Sequence, residues 1–343
     1  MYLGTPGEIV DERVTLRHGA GGRASHDLVE SVFVRELRNP MLEPLADSAL
    51  LAAGRRQLAF TTDSYVVSPL FFRGGDIGEL AVNGTINNLA MSGARPAALS
   101  AGFIVEEGFP VADLKRIAAS MACASLRAGV PIATGDTKVV ESGKADGLYV
   151  NTSGVGCVEH RLSLGPLAVR PGDQVIVSGP IGDHGVAVMA ARGDLELEPE
   201  VRSDTAPLHT LVSKLLRATD GVRCLRDPTR GGVATVLSDL ADAAEVGVTI
   251  VQSQIPVRPE VIRSCETLGL DPLYAANEGK LIAIVSPDAA DTALAALRSH
   301  PLGREAAVIA KVTPHPPGRV TLLTAGASRA IEMLAGAPMP RIC

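Results

Sequence analysis

The chain has 343 residues, too many for one ordinary core, and at about 150 residues per domain the length predicts two. Apolar residues make up 46% of it, aromatic residues 3%, and Trp is absent, so a core of Ala, Val, Leu and Ile is expected and a disordered chain is excluded. A formal net charge of -6 with no run of Lys or Arg gives no field for nucleic acid or an anionic membrane, so any anionic ligand has to be held locally, by metal or backbone.

Residues before about 45 lack a strand pattern and read as an arm. Strand-like runs follow at Leu58–Thr62, Ala98–Val105, Pro131–Thr134 and Leu148–Ser153, with helical periodicity over Ile77–Met91 and Val111–Ala128. The stretch Arg161–Gly172, with Gly165, Pro166, Pro171 and Gly172, marks a boundary. Beyond it come strands at Val175–Ser178, Val248–Val251, Leu281–Val285 and Ala307–Val312, and helices at Asp183–Ala191, Leu208–Thr219 and Val233–Ala244. This alternation predicts an α/β (α+β) protein. Its expected parts are an N-terminal arm (1–45), an N-terminal domain (46–165), a C-terminal domain (166–325) and a tail (326–343). Pro338 and Pro340 predict an extended, mobile tail that carries the terminal Cys343.

The five cysteines (Cys123, Cys157, Cys224, Cys265 and Cys343) are too irregularly spaced for a zinc site or a disulfide framework, which predicts a reducing compartment. No apolar run approaches the roughly 20 residues of a membrane span. Glu8, Asp11 and Glu12 stand where a signal peptide would be basic. A cytoplasmic protein is expected.

No P-loop occurs, and His18-Gly19-Ala20-Gly21-Gly22 lacks the third glycine of a dinucleotide fingerprint. Its glycines could still turn backbone N–H groups inward around a phosphate, although a flexible loop reads the same way. Asp63 and Asp136 follow strand-like runs and, with Asp47, are candidate Mg²⁺ ligands beside nucleotide phosphates; a turn or cap role is the alternative. Lys138 could neutralise charge on a transferring phosphoryl group, or be an exposed lysine. Asn83 and Asn87 share a helix face, while Asn88 points about 100° away from Asn87. Thr229 and Arg230, ahead of the helix from Val233, predict a capped, anion-favouring corner. Glu278, at the entrance to a strand, is a candidate general base or a solvated charge.

Taken together, His18–Gly22, Thr61-Thr62-Asp63-Ser64, Gly74-Gly75-Asp76-Ile77-Gly78, Gly135-Asp136-Thr137-Lys138, Arg226–Gly232, Asn277-Glu278-Gly279-Lys280 and the terminal Pro340-Arg341-Ile342-Cys343 resemble the HypE family. HypE proteins are maturation factors that make the cyanide ligands of [NiFe]-hydrogenase, within the PurM-like ATP-binding superfamily. The resemblance implies a homodimer with a shared N-terminal sheet, Mg–ATP between the domains, a HypF-like carbamoyltransferase that loads Cys343, and a HypC–HypD complex that receives the cyano group. It implies catalytic roles for Cys343, Lys138 and Glu278. It further implies nucleotide contacts from His18, Gly19, Gly21, Gly22, Asp63, Asn83, Asn87, Asn88, Asp136, Thr137 and Arg230, and metal ligation by Asp47, Asp63, Asp136 and Asp227. One departure stands out: where the family usually reads Asn-Asp, this chain has Asn87-Asn88, which removes a carboxylate. Two other readings stay open. One is a PurM-like synthase or kinase acting on a diffusible substrate. The other is a weakly catalytic cyano carrier or scaffold.

Overall fold

The computed structural model describes residues 13–19, 22–54, 56–193, 200–334, 336 and 339–343. The expected arm holds short helices, α1 (Arg23–Leu28) and α2 (Arg35–Leu37), joined by a π-helical turn. The N-terminal lobe then runs β1 (Ala49–Ala53), β2 (Arg56–Tyr65), a small hairpin β3 (Phe71–Phe72) and β4 (Gly75–Asp76), α3 (Ile77–Met91), β5 (Ala94–Glu106), α4 (Val111–Ala128), β6 (Ile132–Val140) and β7 (Leu148–Val158). Its five-stranded sheet has the order β1-β2-β7-β5-β6. Only β5 and β6 pair in parallel there.

The C-terminal lobe comprises β8 (Gln174–Val177), α5 (Asp183–Ala191), α6 (His209–Ala218), β9 (Val222–Arg226), α7 (Gly232–Ala243), β10 (Gly247–Val251), α8 (Pro259–Leu268), β11 (Ile282–Val285), α9 (Ala290–Arg298), β12 (Ala307–Thr313), β13 (Val320–Leu323) and β14 (Ser328–Ile331). Seven of these strands form the sheet β14-β13-β10-β12-β8-β11-β9.

Helix α3 is the hinge-pin of the arrangement. Asp76 caps it, accepting from the N–H groups of Gly78 (2.7 Å) and Glu79 (3.0 Å). It is apolar nearly all round, so it is buried on both sides. One side lies on the N-terminal sheet, where Thr152 donates to the Ala81 carbonyl at 3.1 Å. Toward the other, Ala90 and Met91 join the core of the C-terminal lobe. By contrast α4 buries only Ile117, Met121 and Ala124 and ends at Gly129, whose φ of 67° suits glycine.

Several sequence expectations need correction. Asp63 and Asp136 do not follow strands; they lie inside β2 and β6, because both strands continue through polar residues. Strands β1, β9, β13 and β14 and helices α8 and α9 were not foreseen, being short or weakly alternating. Thr229 does not cap α7. Gly231 (φ 76°) does, and Gly232 (φ 61°) follows, where a Cβ would come within 2.5 Å of the Leu273 carbonyl oxygen. Finally, the tail is docked. Pro338 lies outside the described residues, but Met339 and Ile342 are buried in the N-terminal core.

Candidate active site

The docked tail walls a cavity of about 610 Å³. Gly19, Val66, Arg230, Gly231, Tyr274 and residues 339–343 are among its lining. Main-chain pairing holds the tail beside β2: Val66 N–H donates to the Cys343 carbonyl (3.2 Å) and Ser68 N–H to that of Arg341 (3.2 Å), while Arg341 Nε donates to the Val66 carbonyl (2.9 Å). From the C-terminal lobe, Arg192 Nη2 donates to the carbonyls of Pro340 (2.6 Å) and Arg341 (2.8 Å). Its Nε donates to that of Ser68 (2.7 Å), and His184 Nε2 lies 2.8 Å from the Ile342 carbonyl. The tail is therefore not extended as its prolines suggest: it turns at Pro340–Arg341, with Arg341 at a φ of 50°, and the carbonyls of residues 340–343 are satisfied from both lobes.

Charge is concentrated around the sulfur. Burial pushes the Cys343 thiol well up; Arg230 opposes this, and Glu278, Asp63 and Asp227 reinforce it. Glu278 is buried, and its carboxyl is raised well above the usual range by desolvation and then by Asp227, Asp204 and Asp63, with Arg230 opposing. Asp227 is raised by burial and by the Asp47 charge. The docked thiol is therefore protonated and a poor nucleophile. Glu278 Oε1 has no hydrogen-bond partner, an acceptor left open beside the tail.

The four aspartates expected to share a metal do not meet within one chain. Asp47 is engaged by Arg226 at 2.7 Å. Asp63 pairs with Thr152 across the sheet, on the α3 face, and Asn88 Nδ2 stands 3.5 Å from its Oδ2. Asp136 lies in the row of Gly102, Asn151 and Ser64. Alternation puts it on the opposite face, three strand spacings, roughly 14 Å, away. Among the described residues no three acidic, histidine or cysteine side chains converge to hold a metal. Thr137 and Lys138 share that outer edge strand, and Lys138 pairs with Asp136 at 2.7 Å, both about 70% exposed.

The remaining candidates divide. Gly19 lies at the cavity, its carbonyl accepting from Arg230 Nη1 at 3.2 Å. Gly21 lies outside the described residues. Gly22 is needed for space, since a Cβ there would sit 2.1 Å from the Leu334 carbonyl oxygen. His18 is buried and accepts from Thr15 N–H at 2.9 Å. Asn87 is not open to a ligand within this chain: it donates to the carbonyls of Ala206 and Glu278 (both 3.1 Å) and accepts from Leu208 N–H (2.7 Å), bolting α3 to the C-terminal lobe. Asn83 donates to Thr205 (3.2 Å) and leaves Oδ1 unpaired.

Sequence reasoning missed His184, Arg192 and Asp204. Asp204 accepts from Glu278 N–H (3.0 Å) and pairs with Lys280 (2.9 Å), fixing the strand entrance that carries Glu278. A histidine followed by glycine at the start of an apolar helix was the available signal for His184.

Comparison with known proteins gives a single direction. The profile of AIR synthase related proteins matches residues 45–158 with its N-terminal domain and 170–322 with its C-terminal domain. Carbamoyl dehydratase HypE of Rhizobium leguminosarum bv. viciae is 51% identical over 98% of this chain and 97% of its own length. That of Escherichia coli K12 is 45% identical over 96% and 99%. A crystal structure of HypE in complex with ATP superposes with a TM-score of 0.81 at 45% identity, covering 96% of this chain and all of its own. One of a HypE–HypF complex gives 0.85 at 45%, covering 90% and 99%.

Proposed function

The chain belongs to the HypE family of carbamoyl dehydratases, and we propose that its substrate group rides on its own Cys343 and is dehydrated with ATP. The carrying observation is the placement of Cys343: the tail sulfur lies in the electrostatic neighbourhood of Glu278, Asp63, Asp227 and Arg230.

The thiocarbamate oxygen attacks the terminal phosphorus of ATP, ADP leaves, and one N–H proton is lost. Loss of the second proton with departure of phosphate leaves a thiocyanate on sulfur. Phosphorylation matters because the amide oxygen is otherwise a poor leaving group. Glu278 takes the first nitrogen proton and the departing phosphate can carry off the second: a raised pKa makes Glu278 a strong base once ionised, and Arg230 favours the ionised form. Asp63 and Asp227 would hold Mg²⁺, since the buried Asp227 carboxyl, raised by desolvation and by the charges of Asp47 and Asp63, would be relieved by a cation. The ion would neutralise phosphate charge.

Lys138 and Asp136 enter through a second copy. The sheet face away from α3 is uncovered and carries Phe60 and Ile104, each 45% exposed. A homodimer closing that face would bury both and carry Lys138 toward a neighbouring site. The working unit spans residues 46–165 and 166–325; of the tail 326–343, β14 stays in the C-terminal sheet and the part beyond it passes between a HypF-like carbamoyltransferase, this cavity and a HypC–HypD acceptor in the cytoplasm. The solved HypE–HypF complex supports the first of these.

Mass spectrometry of the C-terminal peptide tests the reading. After incubation with carbamoyltransferase and ATP, Cys343 should gain first a carbamoyl and then a cyano adduct, and Cys343→Ala should form neither. Cyanide-bearing product from that variant would overturn it.

A further inference from the structure

We propose that His184 is a positioning residue that holds the docked tail by the carbonyl next to Cys343, and so sets the sulfur in register for dehydration; this rests on the reading of Cys343 as the substrate-bearing group. His184 lies in the first turn of α5 and is fully buried. Its Nε2 is 2.8 Å from the Ile342 carbonyl oxygen, and its Nδ1 is 2.8 Å from Ser203 Oγ.

A carbonyl can only accept, so Nε2 carries the ring proton. Nδ1 is then bare and accepts a hydrogen bond from the Ser203 hydroxyl, while Ser203 Oγ accepts from Thr205 N–H at 3.2 Å. One neutral tautomer satisfies every partner, and burial, which lowers the ring's pKa, favours it. Phe72 meets the ring edge-on at 5.4 Å and 90°, which fixes its plane. The recess is shaped for the tail as well. A Cβ on Gly185 would come within 2.9 Å of Met339 Sδ, so the helix offers a donor at one position and a gap at the next.

The two half-reactions ask opposite things of the tail. Carbamoyl transfer from a separate enzyme needs an accessible thiolate, and the docked thiol is protonated and only partly exposed. Dehydration needs the tail inside. Removing the bond to Ile342 therefore moves the two steps in opposite directions, whereas general damage to the fold would depress both.

The test compares His184→Phe, which keeps a buried ring without a donor, with His184→Gln, whose side-chain amide can donate from a similar place. Alkylation of Cys343 by iodoacetamide is followed by peptide mass spectrometry, alongside carbamoylation by the carbamoyltransferase and ATP-driven cyanation. For His184→Phe, alkylation should rise about fivefold, the scale of one net hydrogen bond. Cyanation should fall by a similar factor, with carbamoylation no slower, and His184→Gln should recover most of the protection. Alkylation unchanged in His184→Phe, or carbamoylation and cyanation falling together, would overturn the proposal. If His184→Phe does not fold, Ser203→Ala removes the partner that fixes the tautomer and should shift alkylation the same way; no shift there also overturns it. Alkylation needs no ATP, so it separates a failed latch from a failed assignment of Cys343, in which case the unaltered protein would not cyanate either.

Discussion

Among the described residues, two lysine–aspartate pairs of nearly equal length stand in very different surroundings. Lys138 and Asp136 meet at 2.7 Å on the outer strand β6 with 70% and 69% of their side chains exposed. Lys280 and Asp204 meet at 2.9 Å between the lobes with 11% and 3% exposed. Water screens the first pair, which therefore fixes nothing and can be drawn to a new partner. The second is desolvated, so neither charge can be left alone, and Asp204 spends its other oxygen on Glu278 N–H. Distance alone does not assign a role to an ion pair; its solvent does.

The contrast breaks most visibly at Lys280. Lys280→Ala leaves a buried, unpaired carboxylate and should cost about 3–5 kcal/mol of stability, read as a large fall in the denaturant midpoint; a shift like that of a surface variant would remove the distinction. Lys138→Ala should do the reverse. Its melting temperature should match the unaltered protein, while turnover falls by roughly a hundredfold if the lysine serves a transferring phosphoryl group. Unchanged turnover would make it an ordinary exposed lysine.

A smaller effect sharpens the buried side. Burial and the Asp204 charge raise the Asp183 carboxyl from 3.8 to about 6. The folded chain thus binds that proton more tightly than the unfolded chain, so folding stability falls as pH rises through this window and stays lower above it. Asp183→Asn should be more stable by about 3 kcal/mol at pH 7.5. The gain should shrink below pH 6 and vanish near pH 4. A pH-independent difference would mean that the charge is not the cause.

Much of the architecture was legible in the residues. Helix α3 was placed at both ends because its apolar run is long and bounded by Asp76 and the Ser92-Gly93 turn. Strand β6 was cut short because its second half, Asp136-Thr137-Lys138, is polar on both faces, as an exposed outer strand permits. Within the site, Cys343, Glu278, Asp227, Asp63 and Arg230 are legible in the sequence as ionisable groups of the right chemistry, and the structure brings them into one electrostatic neighbourhood. Asn87 was chosen for the right property, a costly polar group in a helix, but its amide serves the chain's own backbone.

By itself the sequence determined the element types, the terminal thiol and which side chains could carry charge, because propensity and ionisable chemistry are local. The tertiary structure decided which of them act together. It separated Asp136 from Asp63 by sheet register, turned a tail that reads as mobile into a docked strap, and set the protonation of Cys343 and Glu278. Those properties depend on desolvation and on charges contributed by segments distant in the chain, which spacing along a sequence does not encode.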